Sequence, residues 1–354
     1  MKILGIESSC DETAAAVVQD GRLLLSSVVN SQIDIHTVYG GVVPEVAARS
    51  HIEVINPVIN QALSDAKLTW DDIDAIAVSY APGLIGSLLV GTLAARTLAI
   101  LKNKPLYPIH HVESHVYANF LTSSPSTTYD LLPTTPAFPI LALIVSGGHS
   151  QLVLFRDHGD YELLGQTQDD AVGEAFDKVA KILGLAYPGG PSIARAALNG
   201  NPTKYKLPKS KLSGKYDFSF SGLKTAVLRA VQHETGVDFT FPSTGLAQRL
   251  NDAQRADFAA SFQRTAIETL VDKTERAFYD FDAKSVVIAG GVAANAELRR
   301  ILSERIPIHI DYAPSDLCTD NAAMVASMGY YYSLKNQPIN PYELEVAPSL
   351  SMSK

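Results

Sequence analysis

Two histidines one helical turn apart, His111 and His115, are the residues whose type and spacing most readily suggest chemistry. They lie in His110-His111-Val112-Glu113-Ser114-His115, after a stretch that reads as a strand and at the start of one that reads as a helix. Helix positions i and i+4 lie roughly 40° apart on one face, so two imidazoles spaced this way can bind one ion. A lone pair of helix histidines is more often structural than ligating, but this one opens a helix after a strand, where sites collect. Zinc proteases use the same spacing with a glutamate directly after the first histidine. Here Glu113 is two residues on, roughly 200° around the helix from His111, which argues against proteolysis.

The elements that must position this pair are written twice. Ile3 to Glu7, a polar turn Ser8 to Glu12, Ala14 to Val18, Asp20-Gly21 and Leu23 to Leu25 form one run. Ile140 to Val145, the turn Ser146-Gly147-Gly148-His149-Ser150, Leu152 to Phe155, His158-Gly159 and Tyr161 to Leu164 form the other. Each reads as an antiparallel meander. Each is followed by helix, strand, helix, strand and helix: 44–66, 73–79, 87–101, 106–110 and 112–121 in the first half, and 256–281, 285–289, 294–305, 308–312 and 320–334 in the second. A duplicated meander followed by βα units predicts an α/β chain of the two-lobed actin, sugar-kinase and Hsp70 architecture, with nucleotide bound between the lobes. The expected division is 1–135, 136–319 with an insertion over 166–255, and a C-terminal helix and tail over 320–354. Pro- and Thr-rich Ser123 to Pro139 reads as the linker, and Asn336 to Lys354 as a loosely ordered tail.

The repeat also proposes a third ligand. Cys318-Thr319-Asp320-Asn321-Ala322 opens a helix at the position equivalent to the histidines, and pseudo-symmetry would bring Asp320 across the cleft toward His111 and His115. Two histidines and a carboxylate form a facial triad, suited to Fe(II) or another divalent ion, zinc and manganese included. Asp320 could instead cap its helix, and Cys318 reads better as a buried thiol than as a ligand.

Several turns could hold the rest of a ligand. Ile144-Val145-Ser146-Gly147-Gly148 places two glycines between strands, where backbone N–H groups can turn toward an anion; a plain tight hairpin is the alternative. The equivalent turn carries Asp11 and Glu12, candidates for organising a cleft or accepting a proton, or merely turn caps. Asn295, after Gly290-Gly291, is either a helix cap or a polar contact at a strand end. Tyr187-Pro188-Gly189-Gly190-Pro191 follows a helix carrying Glu174, Asp177 and Lys178, and by itself reads as a loop.

The 354 residues suffice for two domains. Two cysteines are too few for a disulfide framework, no signal-peptide pattern opens the chain, and no apolar run reaches the roughly 20 residues of a membrane span. A cytoplasmic protein with no membrane partner is the expectation. The net charge of −8 means that any grip on nucleic acid must come from a local basic patch or from a partner.

Taken together, GIESSCDET, YGGVVPEVAARSH, APGLIGSLLVG, HHVESH, VSGGHSQLV, GEAFDKVAK, YPGGP, DFSFSGLKTAV, AGGVAAN and CTDNAAM resemble the universal tRNA threonylcarbamoyltransferase family, from Ile3 to about Tyr332. Its bacterial catalytic subunit was once described as an O-sialoglycoprotein endopeptidase. The resemblance implies transfer of a threonylcarbamoyl group from threonylcarbamoyl-adenylate to the exocyclic amine of the adenosine beside the anticodon, in tRNAs reading codons that begin with A. It implies iron on His111, His115 and Asp320, and the adenylate on Ile144 to Gly148, Asp177, Gly190 and Asn295. It implies partners too: a catalytically silent relative of the same fold and a P-loop ATPase. Ala194 stands where many relatives have aspartate, which puts one polar nucleotide contact in doubt; Ser8 keeps the hydroxyl of the usual threonine. The rival readings are a small-molecule kinase or ATPase of the same fold, the metalloprotease, and a non-catalytic scaffold, which should lack the metal ligands.

Overall fold

The computed structural model describes residues 1–123, 131 and 135–352. It divides into two compact units. Unit 1 comprises Met1–Ala137, Arg156–Tyr161 and Asp311–Lys354; unit 2 comprises Phe138–Phe155 and Glu162–Ile310. Most of the linker expected over Ser123 to Pro139 lies outside the described residues.

The N-terminal meander is β1 (Lys2–Glu7), β2 (Glu12–Gln19) and β3 (Leu23–Ser31). After it come α1 (Ile33–Thr37), α2 (Pro44–Asp65), β4 (Ala75–Ala81), α3 (Ile85–Lys102), β5 (Leu106–His110), α4 (His111–Tyr117) and the two-residue β6 (Thr122–Ser123). These strands form one sheet in the order β5-β4-β1-β2-β3-β6, with β1 antiparallel to β2 and parallel to β4. The second meander is β7 (Ile140–Val145), β8 (Ser150–Asp157) and β9 (Asp160–Gln166). Then follow α5 (Val172–Leu183), α6 (Gly189–Ala197), α7 (Ser221–Glu234), α8 (Asp252–Phe281), β10 (Ser285–Ala289), α9 (Ala296–Arg305), β11 (Ile310–Tyr312), α10 (Ser315–Cys318) and α11 (Ala322–Ser333). The second sheet runs β11-β10-β7-β8-β9, with β7 antiparallel to β8 and parallel to β10. Apart from the short edge strand β6, the two sheets share one strand order, and the duplicated α/β fold read from the sequence is the fold observed.

Strand β1 shows how alternation builds unit 1. Leu4 and Ile6 face α2 and α3 and join a core with Ile55, Ile59, Val78 and Ala95. Ile3 and Gly5 face the other way, onto α11. A Cβ on Gly5 would sit 2.2 Å from the Ala322 carbonyl oxygen and 2.8 Å from the Ala326 nitrogen, so only glycine lets the helix lie this close. Helix α11 is apolar nearly all round, with Ala322 to Gly329 all buried, and it packs against β1, β2, β4 and α4.

Two expectations change. The C-terminal helix, expected as a segment of its own after the second lobe, packs within unit 1. The tail is not loose: Leu344 and Met352 are buried, Ile339 pairs with Leu106, and the Ala347 N–H donates to the Tyr80 carbonyl. Helix α3 is long and apolar enough to cross a membrane by length and composition, and a third of it is buried in the fold.

Candidate functional site

Strand β5 ends at His110, whose Nδ1 accepts from the Glu113 N–H and so caps α4. The following helix turn aims both remaining imidazoles at one carboxylate. Asp320 Oδ1 is 3.5 Å from His111 Nε2 and 3.3 Å from His115 Nε2, and one ligand atom from each residue lies within 4.8 Å of the others. Both histidines are buried and Asp320 is partly open to solvent. Asn321, not Asp320, caps α11, its side chain accepting from the Met324 N–H, so the aspartate is spared for the site. Pseudo-symmetry was right about the meeting and wrong about the route. Asp320 reaches the histidines from within unit 1, because α11 packs on the sheet that carries them.

The group suits a divalent metal ion. Among the described residues, both ring nitrogens of His115 are buried without a hydrogen-bond partner, the approach to Asp320 meeting the distance of an ion pair but not the alignment of a hydrogen bond. Such orphaned atoms cost about 1–3 kcal/mol each unless something ligates them. Ligands at about 2.1 Å from one ion stand roughly 3.0–3.4 Å apart, close to the two distances from Asp320 to the histidines. The donor set of two nitrogens and one carboxylate oxygen leaves coordination positions for substrate. Glu113 stands outside the group. Cys318 is buried with its thiol on the Ala313 carbonyl and is no ligand.

Behind His111 stands a residue that spacing did not reveal. Glu7, fully buried at the end of β1, has Oε2 3.0 Å from His111 Nδ1; the same oxygen accepts from Ser79 Oγ, and Oε1 accepts from the Ser9 N–H at 2.5 Å. Burial works against a charge there, but the His111 imidazole outweighs it and holds the Glu7 carboxyl below its usual range. An ionised carboxylate only accepts, so Nδ1 carries a hydrogen and Nε2 is left as the ligating atom. Burial likewise disfavours a charged His111, and Glu7 and Asp320 overcome it, raising the imidazole to about 9. The signal in the sequence was an acidic residue closing a buried strand.

The β1–β2 turn adds two more carboxylates. Glu12, whose Oε1 accepts from Ser31 Oγ, is pushed up to about 10, by burial first and then by Asp320 and Asp11. That shift favours the protonated form, which suits an organising role better than that of proton acceptor. Cys10 is raised well above an ordinary thiol by burial and is unreactive. His51, buried on α2, braces this turn through the Cys10 carbonyl at 3.0 Å and Thr13 Oγ1 at 2.6 Å.

Unit 2 holds a second group at the ends of two parallel strands. Ile144 and Val145 close β7, buried, and the turn Ser146–Gly148 follows. Gly147 and Gly148 are exposed, a side chain on either would meet nothing within 4 Å, and their N–H groups donate to no backbone carbonyl among the described residues. Packing among the described residues does not explain these glycines, since the space over them is open. Beside them the Gly173 N–H donates to the Ser146 carbonyl at the start of α5. Gly290, at φ +87°, brings the end of β10 against the Val145 carbonyl, where a Cβ would fall 2.5 Å away. Asn295 caps α9 by accepting from the Leu298 N–H, and its amide reaches Gln263 at 3.1 Å. Gly189 and Gly190 are not a loop but the first turn of α6, whose Gly189 N–H donates to Asp177 Oδ1 at 2.6 Å. Within unit 1, then, the structure joins His111, His115, Asp320, Glu7, Asp11 and Glu12. Within unit 2 it sets the glycine turn beside the β10–α9 turn, with Asp177 tied to the first turn of the helix that holds Gly189 and Gly190.

Known proteins decide which family this is. A profile described as tRNA N6-adenosine threonylcarbamoyltransferase matches residues 23–327. A protein of that description from Thermomicrobium roseum is 52% identical over 338 residues, covering 94% of this chain and 92% of its own. Another, from Dehalococcoides mccartyi, is 48% identical over 353 residues and covers all of both chains. The chain belongs to the tRNA N6-adenosine threonylcarbamoyltransferase family. Similarity of fold extends further: HypF from T. kodakarensis matches with a TM-score of 0.61 at 14% identity, over 94% of this chain and 48% of its own. The fold is thus actin-like. Membership in the threonylcarbamoyltransferase family sets aside the protease and kinase readings, and the metal-ready triad is not what a scaffold would keep.

Proposed function

We propose that this chain transfers the threonylcarbamoyl group from threonylcarbamoyl-adenylate to the exocyclic amine of the adenosine adjacent to the anticodon, in tRNAs reading codons that begin with A. The observation that carries the reading is the triad of His111, His115 and Asp320 in a chain that aligns along its length with a member of this family. The amine nitrogen bonds to the carbamoyl carbonyl carbon, the bond from that carbon to the phosphate oxygen breaks, AMP leaves, and the amine gives up a proton. In unit 2, Ile144, Val145, Ser146, Gly147, Gly148, Asp177, Gly190 and Asn295 would bind the adenylate. The unengaged N–H groups of Gly147 and Gly148 suit developing negative charge. In unit 1, His111, His115 and Asp320 would hold one divalent ion, iron(II) in this reading, which would polarise and orient oxygens of the threonylcarbamoyl half. Asp11 is the candidate proton acceptor, and Glu12 organises the turn.

The acidic balance of the chain supports work in an assembly, with a catalytically silent relative and a P-loop ATPase, in the cytoplasm where Cys10 and Cys318 stay reduced. The test supplies threonylcarbamoyl-adenylate, unmodified tRNA and those partners, and compares wild type with His111→Ala and Asp320→Ala. Modified adenosine from wild type alone is expected. Equal product from all three proteins would remove the metal centre from the mechanism, and none from wild type would remove the transferase reading.

A further inference from the structure

The basic residues of this acidic chain are not evenly spread. Between Lys204 and Lys224 stand six lysines (204, 206, 209, 211, 215 and 224) against one acid, Asp217, in a chain whose 37 acids outnumber its 29 basic residues. The segment from Asn199 to Phe220 forms neither helix nor strand, yet it is fastened along α8 inside unit 2. At one end the Asn201 N–H donates to Asp257, Ser261 Oγ donates to the Asn201 carbonyl, and the Tyr205 ring stacks on buried Phe258 at 3.7 Å. In the middle Lys209 pairs with Glu268 and Asp272. At the far end Lys215 and Tyr216 both bind Asp280, and Lys273 reaches the Lys215 carbonyl. From Asp257 to Asp280 a helix rises about 35 Å, so the strap is held along that whole length.

Fastening uses only part of the charge. Lys209 and Lys215 are consumed by the acids of α8, where Arg264 shares Glu268 and Arg305 shares Asp272 and takes Glu275. Lys204, Lys206 and Lys211 are exposed, and among the described residues no carboxylate lies within ion-pair distance of any of them. A strap tied at three points thus leaves three exposed ammonium groups unpaired among the described residues, in a protein with acids to spare.

We propose that Lys204, Lys206 and Lys211 form a phosphate-binding ridge that docks the sugar–phosphate backbone of the tRNA. The inference rests on the transferase reading, which supplies RNA as the polyanion. Phosphate contacts position a nucleic acid without reading its sequence, so the ridge acts on affinity and leaves the bond-making step untouched. Each phosphate contact contributes roughly 0.7–0.9 to the slope of log affinity against log salt, and three contacts about two to three.

The test uses the complete modification assembly and the triple variant Lys204→Gln/Lys206→Gln/Lys211→Gln, with a triple arginine variant as the conservative control. In the glutamine variant, KM for tRNA is expected to rise about tenfold or more at unchanged kcat, and the salt slope of tRNA binding to become shallower by about two to three. The arginine variant should match wild type, and thermal unfolding should show all three proteins equally folded. An unchanged KM and slope, or a fall in kcat alone, would overturn the ridge. Because wild type runs alongside, loss of the transferase reading is separable: it would show as no modified adenosine from wild type.

Discussion

Replacing Glu7 with glutamine changes one oxygen for an NH2 group and nearly nothing in volume, and it should weaken the metal centre from the side opposite the ion. Glu7 now accepts from three donors: His111 Nδ1 at 3.0 Å, Ser79 Oγ, and the Ser9 N–H at 2.5 Å. A glutamine can keep its one oxygen on Ser9 and turn its NH2 toward His111 and Ser79, but that NH2 is a donor where two donors already point. The least costly rearrangement lets it donate to Nδ1, which moves the imidazole hydrogen to Nε2, the atom facing Asp320 at 3.5 Å. A protonated Nε2 cannot ligate. Loss of such an outer-shell carboxylate costs about 10–100-fold in metal affinity, or about 1.4–2.7 kcal/mol. The assay is competition between protein and a chromophoric chelator for Zn(II), and for Fe(II) without oxygen, below the midpoint of apoprotein unfolding. Glu7→Asp, which keeps the charge on a shorter arm, should recover part of the loss. If Glu7→Gln bound both metals as tightly as wild type, the argument that Glu7 sets the ligating nitrogen would be refuted.

Other outcomes follow from the same geometry. Because the His111 imidazole is raised to about 9, a metal ion must displace a proton at neutral pH, so apparent affinity should climb about tenfold per unit from pH 7 to 9 and then flatten; chelator competition across that range checks it. The sign for the apoprotein is the reverse: a folded-state value above the unfolded 6.5 means stability fully present below about 6.5 and lost as pH rises through 9, read as a falling midpoint in metal-free melts. Gly5→Ala should lower stability by about 3 kcal/mol, since its Cβ meets α11 backbone rather than a movable side chain, and should also weaken metal binding by displacing Asp320; urea melts and the chelator assay read the two effects. His158 stacks on Tyr331 at 3.8 Å and is lowered to about 4, chiefly by burial, so its contribution is present above about 6.5 and lost as pH falls toward 4. His158→Phe should therefore lose less of its melting midpoint than wild type between those values.

What was legible in the sequence, and what was not, divides by the range of the interaction. The meanders and βα units declare themselves because a buried strand or amphipathic helix repeats its apolar positions within a few residues. The i, i+4 histidines declare themselves for the same reason. The tail misled because its anchors, Ile339, Leu344 and Met352, are single apolar residues with no period between them. Glu7 was silent because its meaning depends on His111, 104 residues away, and no local spacing encodes that. The Tyr187–Pro191 segment, which by itself read as a loop because a glycine pair after proline usually breaks structure, instead opens α6: Pro188 precedes its first turn and Asp177 accepts from the buried Gly189 N–H.

Strand β1 shows how little sequence the candidate metal site needs once the fold is known. Its even positions, Leu4 and Ile6, supply the core under α2 and α3. Its odd positions all serve the other face: Ile3 packs beside Gly329, Gly5 admits the backbone of α11 at Ala322, and Glu7 meets His111. The helix that Gly5 admits begins directly after Asp320 and its cap Asn321, so the depth to which α11 sinks fixes how far the carboxylate reaches toward the histidines. The same face then holds the imidazole from behind through Glu7. One six-residue strand thus places the third ligand and orients the first, and a side chain at Gly5 would disturb the centre without touching any of its ligands.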